Sequence, residues 1–427
     1  AGVNDEPRLG TYFTLGIALV VVLIGDLNLI APVLSMFFLT TYMVLNVAAG
    51  LEGFLQSPSF RPMFRVHWIF SLLGAIGCIA VMFLINPIAT IVAAMIVLSI
   101  YLWLERRELE TTWGDVRRGL WMTLIRAGLL QLDGTPDPRN WRPNILVLSG
   151  APTKRLNLIK LANTFTHNRG LITVSSVLPS GSRDMAQQTA MEKTIREYLQ
   201  KRGIQALVRL LTAAEPWVGA EQLVETYGIG PLVPNTVMLG DTESPDADRR
   251  QRYCDMIAKV HQAKRNVVIL RENADTPLEM TARSLRPRRI DVWWGGLQHN
   301  GGLMLILADL LRTSLPWRDA QLCLKLVAPN DLAAAAARNN LDKLLKAVRI
   351  RAESEVLTAG DRSFDDILRQ SSAQADLIFL GMATPEREPD FSGYYDRIKR
   401  RTDHLPTTIF VLASENFAFS EILQKDQ

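Results

Sequence analysis

The residues with most chemical promise are Ser149-Gly-Ala-Pro-Thr-Lys-Arg (149–155). They follow a short apolar run and stand where a helix could open, and backbone N–H groups at a helix start favour an anion. The loop lacks the Walker A pattern, and no Gly-x-Gly-x-x-Gly fingerprint occurs anywhere. Gly228-Ile-Gly-Pro (228–231) reads as the turn that ends a helix rather than a phosphate loop. No Gly-x-Ser-x-Gly elbow and no Cys/His signature is present. Cys78, Cys254 and Cys323 are far apart and the 5 histidines are scattered, so disulfide, zinc and other metal readings all fail. Carboxylates such as Asp291 and Asp309 read as sheet-end and helix-surface residues rather than as an acid/base pair. No catalytic residue is assigned, and the chain is not expected to be an enzyme.

A strand–helix alternation positions that loop. Apolar runs at Ile145–Leu148, Leu171–Val177, Ala206–Leu211, Thr236–Leu239 and Val267–Leu270 are separated by helical patterns such as Asp184–Arg202 and Asp246–Lys264. This is the pattern of βαβ units and a mostly parallel sheet. After the polar stretch Glu272–Arg289 it resumes. Ile290–Trp294, a helix from Gly302 to about Arg312, Leu322–Val327, an Ala-rich helix over 331–347, Arg349–Ala352, a helix over 362–371, Leu377–Leu380 and Thr408–Leu412 follow. Two similar parallel-sheet halves, 143–271 and 290–427, joined by a linker over 272–289, are the economical division.

The first quarter is different. Tyr12–Ile24, Ile30–Leu51, Trp68–Ile85 and Ile88–Leu104 are apolar segments, the first rather short, against the roughly 20 apolar residues a bilayer-spanning helix needs. Four membrane spans are expected over about 11–25, 30–52, 68–86 and 87–104. Arg8, then Arg61, Arg65 and His67, then Arg106 and Arg107 alternate with turns lacking Lys or Arg, which places the large soluble part in the cytoplasm. Asp26 and Asn28, with Pro32 after them, read as a structural turn at the outer surface. Thr40, Thr41, Tyr42 and Asn46 are expected to face other helices. An amphipathic helix over Glu105–Leu132, carrying Trp113, Val116, Leu120, Leu124 and Ile125, reads as a connector within 105–142, and Asp133-Gly-Thr-Pro-Asp-Pro ends it. The chain enters a span within about a dozen residues and opens on Ala1, so it reads as the C-terminal part of a longer protein.

Charge narrows the partners. A net +4 over 427 residues, with no basic run carrying interleaved aromatics, argues against nucleic acid. The partner implied by 48% hydrophobic residues concentrated at one end is membrane lipid.

Several blocks point to one family. Ile24-Gly-Asp-Leu-Asn through Leu39, SPSFRPMFRVHWIFSLLGAIGCIAVMFLIN (57–86), VLSGAPTKR (147–155), PNTVMLG (234–240) and IDVWW with GGL (290–294, 301–303) occur in order. Together they resemble the cation–chloride cotransporters of the amino acid–polyamine–organocation superfamily. The resemblance implies electroneutral symport of chloride with sodium and/or potassium in a twelve-span plasma-membrane transporter, of which these would be the last four spans and the cytosolic domain. It implies that the ion ligands lie on upstream spans of the same protein, with none in this chain. It further implies a homodimer and a universal-stress-like α/β fold. Adenine nucleotide would then be a possible regulatory ligand, with Gly150, Ala151, Pro152, Lys154 and Arg155 as the place to look. Two other readings are an amino-acid permease with an appended sensor domain and a membrane-tethered nucleotide sensor. IDVWW and PNTVMLG argue against the permease.

Overall fold

The computed structural model describes residues 8–24, 27–55, 66–106, 116–132, 141–167, 169–181, 184–273, 278, 287–295, 298–415 and 417. Asp26, Arg61, Arg65, Trp113, the turn over 133–138 and most of the 272–289 stretch lie outside the described residues. The chain divides into two units, Ala1–Gln131 and Leu132–Gln427.

The first unit is helical: α1 (Arg8–Ile24), α2 (Leu27–Leu55), α3 (Trp68–Ile85), α4 (Pro87–Arg106) and α5 (Val116–Gln131). Leu34–Leu55 and Trp68–Ile85 are long and apolar enough to cross a membrane, and Pro87–Trp103 is a shorter apolar helix. Asn28 lies in the first turn of α2, while Pro32 lies inside that helix, beyond its first turn. The Asn86 side chain accepts from the Ala89 N–H at 3.1 Å and Pro87 opens α4, a position where proline's missing donor costs nothing.

Helices α2 and α3 approach closely where their side chains are small. A methyl group on Gly50 would meet Leu72 at 3.0 Å, and one on Gly74 would meet Asn46 Oδ1 at 3.0 Å. The four polar residues of α2 do not all turn inward. Thr40 and Asn46 are partly buried, but Thr41 and Tyr42 are exposed. The Thr41 hydroxyl is satisfied by the Phe37 carbonyl at 2.9 Å one turn back, so it needs no neighbouring helix. Of the Glu105–Leu132 connector, the described part is α5, starting at Val116.

The second unit is a three-layer α/β structure. In chain order it runs β1 (Ile145–Leu148), α6 (Leu156–Thr166), β2 (Ile172–Pro179), α7 (Met185–Gln200), β3 (Leu207–Ala213), α8 (Pro216–Thr226), β4 (Thr236–Gly240), α9 (Ala247–Gln262) and β5 (Asn266–Arg271). It continues β6 (Arg289–Trp293), α10 (Gln298–Arg312), β7 (Gln321–Ala328), α11 (Asp331–Val348), β8 (Glu353–Thr358), α12 (Phe364–Ser372), β9 (Leu377–Gly381), α13 (Phe391–Arg401) and β10 (Thr408–Leu412).

These strands form one ten-stranded sheet in the order β3-β2-β1-β4-β5-β10-β9-β6-β7-β8. The first five strands follow 3-2-1-4-5, and the last five repeat that order in mirror sequence. All neighbours are parallel except β5 and β10, which pair antiparallel from Thr408 opposite Arg271 to Leu412 opposite Val267. The sheet is thus mixed but parallel-dominated.

Alternation along the central strands sends neighbours to opposite layers. Ile145 and Val147 pack with α6, α7, α10 and α11, whereas Leu146 packs with α8, α9, α12 and α13. Both faces are covered, which is why these strands read as continuous apolar runs. One strand was misplaced by that rule. Arg349–Ala352 is not a strand; Arg349 ends α11 in the left-handed conformation (φ 55°), and β8 begins at Glu353. As an edge strand with polar alternation, Glu353-Ser-Glu-Val-Leu-Thr has no apolar run to announce it.

Candidate functional site

The sheet's first half reverses strand order at β1, which is flanked by β2 and β4. Open α/β sheets bind ligands outside the carboxyl ends of the strands at such a point. The loop over 149–155 leaves β1 there. Gly150 takes φ +62°, a conformation glycine adopts without strain, and its carbonyl accepts from the Ser176 hydroxyl on β2. The Lys154 and Arg155 N–H groups both point to the Ala151 carbonyl, at 3.0 and 3.3 Å, tightening the turn with Pro152 inside it. Arg155 then begins α6 without any side-chain cap. Early α6 N–H groups are left open to another acceptor.

Beside the loop is a cleft of about 370 Å³ lined by Lys154, Arg155, Leu158, Gly240, Asp241, Glu243, Leu270, Arg271, Glu272 and Lys399. It combines Lys154 and Arg155 from the α6 start, Asp241 from the end of β4, Arg271 from the end of β5 and Lys399 from α13. Lys154 and Arg155 are exposed and have no carboxylate partner among the described residues. Arg155 lies over Gly240, where a methyl group would meet its Nη1 at 2.6 Å, and its Nη2 is 3.4 Å from the Asp241 carbonyl.

Asp241 is the hub. Its Oδ2 is 3.6 Å from Arg271 Nε and 3.4 Å from Lys399 Nζ. Its Oδ1 accepts from the Tyr395 hydroxyl at 2.8 Å and the Thr242 N–H at 2.7 Å. Tyr253 donates to the Gly240 carbonyl at 3.0 Å. Burial, with Asp241's charge nearby, pushes both the Tyr253 and Tyr395 phenols up, so both remain protonated donors at neutral pH.

The arrangement suits holding an anion: uncapped helix N–H groups and unpaired cations on one wall, paired cations on the other. Of the expected loop residues, Lys154 and Arg155 line the cleft, whereas Gly150, Ala151 and Pro152 are not among its lining. Asp241, Arg271, Lys399 and Tyr395 were not foreseen. Asp241 was findable as the first charged residue after the run Thr236–Leu239, one glycine on, since strand carboxyl ends carry the site. Lys399 gave no local signal.

Asp291 does not sit at a sheet end. It lies in mid-β6, fully buried, with its Oδ2 3.0 Å from Lys325 Nζ and its Oδ1 2.8 Å from Arg289 Nε. The Ser372 hydroxyl donates to it at 2.7 Å. A lone carboxylate inside a strand looks misplaced in sequence because its partners come from other elements. Asp309 is a half-buried helix residue paired with Arg312 at 2.6 Å.

Two family models match successive parts of this chain. Amino acid permease covers residues 3–145 and solute carrier family 12 covers residues 155–284. The chain belongs to the cation–chloride cotransporter family. It is accordingly part of a membrane transporter. Among solved structures, the cotransporter chain is similar to the cytoplasmic domain of a prokaryotic cation chloride cotransporter, with 21% identity, a TM-score of 0.49, and 66% of this chain against 99% of that one covered. It is also similar to a universal stress protein from Archaeoglobus fulgidus DSM 4304, with 13% identity, a TM-score of 0.42, and 64% against 98% covered. A functionally unknown protein, PA1789 from Pseudomonas aeruginosa PAO1, has 12% identity, a TM-score of 0.41, and 67% against 96% covered.

Proposed function

We propose that this cotransporter chain is the scaffold, dimerisation and regulatory portion of an electroneutral symporter moving chloride with potassium and/or sodium across the plasma membrane. Its helical unit contributes four spans that pack against upstream spans, which supply the ion ligands. The cleft at Gly150, Ala151, Pro152, Lys154 and Arg155 is its regulatory site, and adenine nucleotide is the effector. The observation carrying the regulatory reading is that Lys154 and Arg155 stand without carboxylate partners at an uncapped helix start, facing Arg271 and Lys399 across one cleft. A polyphosphate would supply the missing negative charge. The effector acts by binding two conformations of the transporter unequally.

Chloride-dependent rubidium uptake by the complete transporter in vesicles, with and without sodium and with ATP on the domain side, tests both parts. Uptake that needs chloride and changes with ATP, with the ATP effect lost in the Lys154→Ala/Arg155→Ala variant, is the expected result. Chloride-independent uptake would sink the symport reading. Chloride-dependent uptake indifferent to ATP would sink the nucleotide reading alone.

A further inference from the structure

We propose that the second half of the sheet holds a ligand site of its own, for a small planar aromatic carboxylate. Strand order reverses again at β6, which is flanked by β9 and β7. The carboxyl ends of those strands therefore present the same kind of crevice as β1 and β4 do. A cavity of about 300 Å³ lies there, lined chiefly by Trp293, Trp294, Phe364, Leu380, Phe410 and Arg401.

Its chemistry is the opposite of the first cleft. Protein interiors are close-packed, with few voids larger than a water molecule. An aromatic-walled space with one cation is the usual composition of a small-molecule site, and this volume lies at the small end of the range, roughly 300–1,000 Å³. The walls are preset: the buried Trp293 meets Phe364 edge-to-face, with ring centroids 5.4 Å apart. Arg401 lies over Phe364 at 5.2 Å, and its Nε is 2.6 Å from Asp365 Oδ1. Among the described residues its Nη nitrogens have no partner, so they offer a two-pronged donor at the cavity wall. Gly295 borders the space, and a methyl group there would meet nothing within 4 Å.

A flat ring system would stack against the tryptophan and phenylalanine faces while its carboxylate takes the Arg401 Nη pair. One or two fused rings fill the volume. Among the described lining residues, the polar groups of a full nucleoside triphosphate would find Arg401 as their one charged partner.

The test uses the full chain in detergent and naphthoate as probe, with the neutral alcohol naphthalenemethanol beside it, in equilibrium dialysis. Saturable binding of one naphthoate per chain is expected, weakened by Gly295→Leu, which adds bulk at the cavity's border. Arg401→Gln should weaken naphthoate about tenfold while changing naphthalenemethanol by no more than about twofold. Absence of saturable binding overturns the proposal. So does binding that both variants leave unchanged, which would place the probe in the membrane helices or the micelle. If Gly295→Leu does not fold, the Arg401→Gln comparison decides: equal losses for acid and alcohol, or no loss, overturn the assignment.

Discussion

Asp241, at the carboxyl end of β4, and Lys399, in the last turn of α13, form an ion pair of 3.4 Å that joins the two halves of the ten-stranded sheet. Lys399 also donates to the Thr242 carbonyl, and Arg271 reaches the Lys399 carbonyl and Asp403. The charged cleft therefore lies on the junction between the halves, and what fills it acts on both.

Replacing Asp241 with Asn strips the hub of its charge while keeping its shape. The Asp241 side chain is 8% exposed, but Lys399 and Arg271 are 18% and 20% exposed, so solvent relieves part of the penalty. A loss of about 2 kcal/mol is expected, below the full cost of breaking a buried pair. Chemical denaturation followed by tyrosine and tryptophan fluorescence reads it. The same variant should bind ATP more tightly, because Lys399 loses its carboxylate partner while Arg271 keeps Asp403. Weaker binding would show that Asp241 holds the cations in place for the ligand.

Lys154→Ala and Arg155→Ala should each weaken ATP by about tenfold, with steeper loss as salt is added to the parent than to the variants. Calorimetric titration at several ionic strengths measures both. Equal salt slopes in parent and variants would mean that neither side chain meets the phosphates.

The buried pair Asp291 and Lys325 gives an asymmetric expectation. Asp291→Asn alone leaves a fully buried ammonium near Glu355, and should cost about 3–5 kcal/mol. Asp291→Leu with Lys325→Met should recover most of that loss. A double-mutant cycle in urea checks it, and a double variant as unstable as the single one would contradict the argument.

Alkali should unfold the α/β unit early. Burial pushes the Cys254 thiol from an ordinary 9.0 up to about 12, and pushes Tyr253 and Tyr395 well above the usual phenol range. The unfolded chain releases these protons first. Stability is thus complete below about pH 9 and falls from there toward pH 12 for Cys254, with the tyrosines adding to the fall above about pH 10. Each group contributes about 1.4 kcal/mol per pH unit within its window. Melting temperatures across that range test this, and Cys254→Ala should show a shallower fall between pH 9 and about 12.

Local pattern was enough for much of this chain. Continuous apolar runs marked the buried strands from Ile145 to Leu412, because a parallel sheet covered on both faces hides every side chain. Long apolar stretches marked α2 and α3, and the 149–155 segment announced the start of α6. What failed were features with no local signature. Glu353–Thr358 is half exposed at an edge, so it lacks the run that names a strand. Asp291 is legible only beside Lys325, 34 positions on, and Asp241 only beside Lys399. That two halves make one sheet depends on the antiparallel pairing of β5 with β10, a contact between Val267–Arg271 and Thr408–Leu412 that no periodicity encodes. Burial periodicity is a property of neighbours in sequence, whereas charge compensation and sheet closure are properties of neighbours in space; only the folded chain decides the second kind.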